Sequence, residues 1–566
     1  MKKKIAILLK KTFVDLKVNL KKEEIENLIE VPPSIEMGDY SFPCFLLAKK
    51  LKKNPHEIAL KIKEKISDKN FEDVKVLGAY VNFFVNKKKF AKNIIKEILK
   101  DKENFGKTDV GKKEKTMVEF CHANTHKAFH IGHTRNISIG ESISRTMEFL
   151  GYDVIRTNYQ GDVGMHVAKT IWGMFNLKKL RLKIPVKDKG KWLGIVYAKA
   201  SQMTKNNKKI AEEVNKINQQ LYSKDKELIK IWEKTRQWSI DYFEKNVYPD
   251  FGTNFDRFYF ESEVEKKGIE IVKSLLKKRI AKKSKGAIII NLEKYGLDIF
   301  LILKSDGTPL YSTKDLYLAE LQNKEYSPKK ILHIVGSEQN FYFKQLIKTL
   351  ELINPKIAKK EKHISYELVT LSSGKMASRE GKVVLYDDTL KKMMVLAKKQ
   401  MKKRNKLSNE ELEKRARIIS LGAIKYAMLS QNTNKTIIFD ENKTVSFEGD
   451  TGPYLLYSYA RASSILRKTK KQKKSFKIKN PEKIEIELVK KLSQFPEIVL
   501  SSYKNLNPSL IANYSYQLAQ IFNGFYHSSK VIGSDEEEFR LALVNSFRIV
   551  LKNSLKLLGI NVVEKM

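Results

Sequence analysis

The sequence predicts a multidomain protein in which a doubly wound, parallel α/β domain is joined to an all-helical C-terminal domain, behind a smaller α/β domain at the N-terminus. Three observations carry this expectation. The middle of the chain holds two strand–helix crossovers, the pattern after about residue 391 is almost purely helical, and the length is 566 residues. Such a chain is long enough for about three ordinary cores.

Residues 1–112 show helical periodicity over 5–20 and 45–66, a strand over 80–85 and a helix over 90–99. A basic, glycine-containing stretch, 106–115, marks the boundary with the next domain, 113–390. There, 116–121 reads as a buried strand, and Ile139, Ile143, Met147 and Leu150 follow at helical spacing. Gly151 ends that helix, and 153–159 reads as a second strand. Strand, helix and strand of this kind form a right-handed crossover, which places the helix N-terminus at the carboxyl edge of the sheet. A polar, lysine-rich helical insertion is expected near 180–300. A second crossover follows: 331–335 is strand-like, Gly336 breaks it, and Phe343, Leu346, Ile347, Leu350 and Ile353 mark one helical face. Helices are expected over 418–429, 454–465 and 539–558 of the C-terminal domain, 391–566. No internal repeat is seen.

Lys plus Arg number 109 against 65 Asp plus Glu, a net charge of +44. Such a field suits phosphate-rich partners, although scattered lysines alone do not decide for nucleic acid. The two cysteines, Cys44 and Cys121, exclude a disulfide framework and a cysteine-based zinc site, as fits a reducing compartment. The apolar stretch 5–9 is shorter than a signal sequence requires, and no run is long enough to span a bilayer. A cytoplasmic protein without a membrane partner is expected.

The most telling motif is His130-Ile131-Gly132-His133, which opens the first crossover helix. Two imidazoles three positions apart can grip a triphosphate, the glycine leaves space for a flat base, and the helix N-terminus favours anions. After the second crossover, 374–381 is a glycine-bounded polar loop carrying Lys375 and Arg379. His122, His126, His130 and His133 invite a metal reading, but the strand before them leaves His122 outside any helix, and no metal cluster is expected. His333 reads as a packed core residue, with an ATP contact left open by its place near Gly336. In the last domain Tyr454, Tyr457 and Arg461 share one helical face, a composition suited to unstacked RNA bases. Tyr514, Tyr516, Phe522, Phe525 and Tyr526 read mostly as core.

The HIGH segment, the KMSKS-like loop and the helical C-terminal domain together resemble class I aminoacyl-tRNA synthetases. Residues 119–129, 159–164, 306–316 and 450–461 narrow the resemblance to arginyl-tRNA synthetases, and 37–42, 78–83 and 558–560 extend it over essentially the whole chain. The resemblance implies a Rossmann-like catalytic domain at 113–390, an added tRNA-binding domain at 1–112 and an anticodon-binding domain at 391–566. It also implies ATP-dependent joining of L-arginine to tRNA(Arg), with Mg2+ accompanying ATP, no zinc, no organic prosthetic group and a monomeric enzyme. By position, His130, His133, Lys127 and Lys375 would be catalytic, and Gly132, Gly336, Met376 and Arg379 would join the two histidines and Lys375 around ATP. Glu119, Asn124, Tyr311, Asp315 and Gln339 would hold arginine, and Tyr454, Tyr457 and Arg461 the anticodon loop. The chain departs from the family loop at Ser378, where a second lysine is usual. Lys127, three residues before the first HIGH histidine, is expected to compensate. A nucleotidyltransferase acting on a small metabolite would not need so long a helical tail. A catalytically silent RNA-binding relative is opposed by the intact His130, His133, Lys127 and Asp315 set and favoured only by Ser378.

Overall fold

The computed structural model describes residues 1–371, 384–402, 408–469 and 475–566. They divide into two units: 1–102 with 469–493 and 524–546, and 103–468 with 494–523 and 547–566.

In the first unit, strands β1 (Tyr40–Pro43), β2 (Phe71–Leu77) and β3 (Tyr80–Val85) form an antiparallel sheet in the order β1-β3-β2. Phe42, Val81 and Phe83 are fully buried, with Phe13 against Phe42 and Phe71 against Phe83. The helix expected over 5–20 spans Lys2–Asp15 and stops before Lys17, whose φ is +54°. The one expected over 45–66 is two helices, Phe45–Leu51 and Pro55–Glu64. Lys52 is left-handed, Asn54 caps the second helix by accepting from His56 N–H at 2.9 Å, and Pro55 suits its first turn. Residues 469–493 and 524–546, which the sequence groups with the C-terminal region, belong to this unit. Here Lys490 pairs with Asp39, and Arg540 with Glu482 and Glu485.

The second unit is built on five parallel strands: β4 (Lys115–Glu119), β5 (Asp153–Gln160), β6 (Arg257–Phe260), β10 (Lys330–Gly336) and β11 (Glu361–Tyr366). Their order is β11-β10-β4-β5-β6, so the winding direction reverses between β4 and β10. Open α/β sheets form their ligand crevice at such a switch point, outside the carboxyl ends of the strands. Thr116, Met117, Val118 and Glu119 are all buried, as a strand covered on both faces requires. The helix Ile131–Phe149 lies close to the sheet because Gly140 has no side chain: a Cβ there would stand 2.2 Å from the Phe120 ring.

Part of the expected helical insertion is different. Lys189–Asn206, Lys208–Tyr222 and Lys226–Tyr242 are helices, but β6 belongs to the parallel sheet, and β7 (Lys282–Ser284), β8 (Ala287–Ile290) and β9 (Phe300–Leu303) form an antiparallel sheet of their own. The helical pattern after 391 is interrupted by β13 (Ile437–Phe439), which pairs in parallel with β12 (Val369–Leu371). The helices expected there span Asn409–Leu429, Gly452–Arg467 and Glu537–Leu557. Tyr514, Phe522 and Phe525 are buried, whereas Tyr526 is 40% exposed.

One buried cation ties distant parts of this unit together. Arg135, fully buried on the Ile131–Phe149 helix, donates to the carbonyls of Glu367, Leu368, Asn432, Thr433 and Lys435 at 2.5–3.3 Å. Delocalised guanidinium charge with a fixed fan of donors suits such a role better than lysine.

Candidate active site

A cavity of about 460 Å³ opens at the switch point. Its lining brings together Glu119, Asn124, His130, Gly132 and His133 from the first crossover, Tyr311 and Asp315 from the helix Tyr311–Tyr326, and Gly336 and Gln339 from the end of β10. Lys127 does not line it. Its ammonium lies 5.5 Å from the Tyr197 ring centroid, and its charge depresses the proton affinity of both HIGH histidines. Lys375, Met376, Ser378 and Arg379 lie outside the described residues. The flanks of that segment are held by the HIGH region: Arg135 binds the carbonyls of Glu367 and Leu368, Ile131 N–H donates to Val384 O at 3.1 Å, and Tyr386 N–H to Phe129 O at 3.0 Å.

His130 is the N-cap of its helix and stacks on His133 with ring centroids 3.7 Å apart. Its backbone N–H donates to His133 Nδ1 at 3.2 Å. Nδ1 is thereby an acceptor, so the neutral ring carries its proton on Nε2. Burial and the nearby Lys127 charge lower His130 to about 4. Burial, His130 and Lys127 hold His133 well below the usual imidazole range. Both rings are therefore neutral near pH 7. His130 Nδ1 is buried without a hydrogen-bond partner among the described residues. Two uncharged imidazoles can each offer an N–H to an oxyanion without repelling each other.

Other lining residues are acidic. Asp315 is half-buried one turn along its helix from Tyr311, which is 60% exposed. Its Oδ2 accepts from the Tyr342 hydroxyl at 2.5 Å, while Oδ1 is buried with no hydrogen-bond partner among the described residues. Burial, reinforced by Glu119 and Glu261, raises its carboxyl to about 7. Glu119 Oε1 meets His333 Nδ1 at 2.8 Å, and Oε2 accepts from Gln322 at 2.5 Å. Glu261, the first residue of the helix after β6, accepts from the buried Lys314 ammonium at 2.7 Å, and burial raises its carboxyl. Asn124 Oδ1 accepts from Gly161 N–H at 3.2 Å. A Cβ on Gly161 would stand 2.4 Å from that same oxygen, so glycine is required for the approach.

Several lining residues escaped the sequence reading. Glu261 and Tyr342 carry no local motif. Glu261 does directly follow a parallel strand, at the edge where the crossover rule places ligands, once β6 is recognised as one. His333, read mainly as core, belongs to the cavity wall. The four histidines do not form one helical face: His126 is left-handed, with φ +62°, and bonds to Thr125 and Thr235. Among the described residues no group of three or more His, Cys, Asp or Glu is arranged to hold a metal ion, and no helix is long and apolar enough to cross a membrane.

Away from the cavity, Tyr454, Tyr457 and Arg461 also come together. The Arg461 guanidinium lies 4.7 Å from the Tyr457 ring centroid, and Asn523 links Arg461 to the Tyr454 hydroxyl. All three are half-buried.

Comparison with known proteins places the chain in a family. Residues 94–441 match the family model for tRNA synthetases class I (R), catalytic domain; 455–566 match the DALR anticodon binding domain, and 1–85 the arginyl tRNA synthetase N terminal domain. The chain is 37% identical over 561 residues to the arginine–tRNA ligase of Clostridium perfringens, covering 97% of this chain and 98% of that protein. It is 37% identical over 577 residues to that of Clostridium kluyveri, covering 100% of both. In fold it is similar to the solved arginyl-tRNA synthetase of Thermus thermophilus, with a TM-score of 0.80, 24% identity and 100% of each chain covered. By its matched domains and by identity over nearly its whole length, the chain belongs to the arginyl-tRNA synthetase family of class I tRNA synthetases.

Proposed function

We propose that the cavity between β4 and β10 holds L-arginine against its acidic wall and the ATP phosphates against its histidine wall. The reaction is the ATP-dependent ligation of arginine to tRNA. In the first step the arginine carboxylate attacks the α-phosphorus in line and pyrophosphate leaves. In the second a ribose hydroxyl at the tRNA 3′ end attacks the adenylate carbonyl and AMP leaves. Charge builds on phosphate oxygens in the first transition state, where His133 Nε2–H and the His130 ring donate. One such donor contributes about 3 kcal/mol when it engages chiefly in the transition state. The charge on these oxygens would also be shared by Mg2+ bound to the ATP substrate. Gly132 and Gly336 leave room for the nucleoside, and Lys375, Met376 and Arg379 complete the ATP contacts, with Lys127 replacing the cation missing at Ser378.

Asp315 and Tyr311 meet the guanidinium, Glu119 and Asn124 hold the substrate from the strand end, and Gln339 orients it. The single observation that carries this reading is the convergence of carboxylates, Glu119, Glu261 and Asp315 among them, in one cavity with two neutral imidazoles. A cation joined to a carboxylate that must meet a polyphosphate is what such a cavity complements. Tyr454, Tyr457 and Arg461 stack with anticodon-loop bases of tRNA(Arg). Residues 1–112 serve as the added tRNA-binding domain, 113–390 as the catalytic domain and 391–566 as the anticodon-binding domain, in a cytoplasmic monomer.

The test is aminoacylation by the purified chain with labelled arginine, ATP, Mg2+ and total tRNA, alongside Lys127→Ala. Absence of charging by the unmodified chain beside an active control enzyme overturns the reading. Undiminished charging by the variant overturns the role of Lys127.

A further inference from the structure

We infer that His333 is a positioning residue for the amino-acid site: clamped between Glu119 and Glu361, it holds the Glu119 carboxylate ionised and aimed at the cavity wall. The three side chains come from adjacent strands β4, β10 and β11, and β10 places His333 directly opposite Glu119. His333 Nδ1 lies 2.8 Å from Glu119 Oε1, and Nε2 lies 2.6 Å from Glu361 Oε2. The side chains are 9%, 3% and 2% exposed, and all three line the cavity.

A neutral imidazole has one N–H and cannot donate to both carboxylates, so the geometry calls for an imidazolium. The charge balance explains why there are two glutamates. An imidazolium beside Glu119 alone would cancel the attraction of that carboxylate for a cationic substrate. Glu361 behind it leaves the trio with a net negative charge facing the cavity.

The neighbouring groups agree. His122 faces the trio from the loop after β4, His363 from β11 and Asp315 from the helix Tyr311–Tyr326, while Phe343 packs 5.4 Å from the His333 ring. Burial lowers both His122 and His363, which leaves them neutral. Burial alone would lower His333 too, but Glu119 and Glu361 outweigh it and raise the imidazole to about 10. In return, His333 holds Glu119 below the usual carboxyl range despite burial.

The inference rests on arginine occupying this cavity, so its tests separate the two. Histidine-selective 15N NMR of the unmodified full chain, with His333 assigned by His333→Gln, is expected to show both ring nitrogens protonated at neutral pH. A neutral single tautomer there overturns the inference whatever the enzyme's activity. In steady-state charging, His333→Gln leaves two buried carboxylates with no cation between them, so one takes up a proton. The arginine KM is then expected to rise ~10-fold near neutral pH, corresponding to about 1.4 kcal/mol, and to recover as pH is raised. kcat and the ATP KM should change far less. His333→Gln/Glu361→Gln removes the like-charge conflict and is expected to restore most of the arginine KM. Equal losses in kcat and both KM values, or a double variant worse than the single, overturn the inference. If His333→Gln fails to fold, His333→Asn replaces it for the NMR assignment, and the unmodified-chain spectrum still decides.

Discussion

At the histidine end of the cavity, burial has stripped charge from two bases; at the acidic end it has raised the proton affinity of two acids. His130 is lowered to about 4 and Asp315 raised to about 7. The same physical cause serves opposite substrates. Under the proposed function, neutral imidazoles would meet phosphate as directional donors without repelling each other, whereas Asp315 would become fully charged when a guanidinium arrives to share its site. One end would then be ready before its ligand binds, and the other completed by it.

The strongest test of this contrast is Asp315→Asn, which leaves a guanidinium without its buried counter-charge. A loss of kcat/KM for arginine of ~10³-fold is expected, measured by charging, since unpaired buried charge costs about 3–5 kcal/mol. At the other end, His133→Ala should lower kcat ~10²-fold with little change in the arginine KM, as removal of a transition-state donor does. If both variants act mainly on the arginine KM, the division into two ends fails. Below about pH 7, the arginine KM of the unmodified chain is expected to rise as Asp315 gains a proton that the substrate must displace. His130 titrates too low to contribute to that inflection. A KM that falls on acidification would contradict this assignment. The smallest effect is expected of Gly161→Ala, which pushes Asn124 from its place in the cavity wall. A ~10-fold rise in the arginine KM, with folding preserved by circular dichroism, would match the 2.4 Å clash.

How much of this was legible in the chain depends on the distance over which each signal acts. β4 and β10 are apolar runs with a helix after each, and both were readable because strands buried on two faces announce themselves locally. β2 was not, because Phe71-Glu72-Asp73-Val74-Lys75 alternates imperfectly on a half-exposed sheet. The four-residue β6 was hidden within a lysine-rich helical context, and Glu261 with it. HIGH and Asp315 stood out by motif and resemblance. The trio of His333, Glu119 and Glu361 did not, since its members are 214 and 28 residues apart and meet only through the register of three strands.

Arg135 bears on how the molecule is made as well as on how it stands. Its most distant carbonyl partner, Lys435, is 300 residues further along the chain. During synthesis from the N-terminus, the HIGH helix emerges long before anything exists to receive its guanidinium. Burying that charge early would cost several kcal/mol. The parallel sheet is therefore expected to close late, after residue 435 has left the ribosome, rather than as a self-sufficient N-terminal intermediate. Stalled chains ending at 400 should accordingly be cut by protease within the Ile131–Phe149 helix, and chains ending at 566 should resist. The residue that anchors the HIGH helix is thus expected also to set the earliest moment at which that helix can be finished.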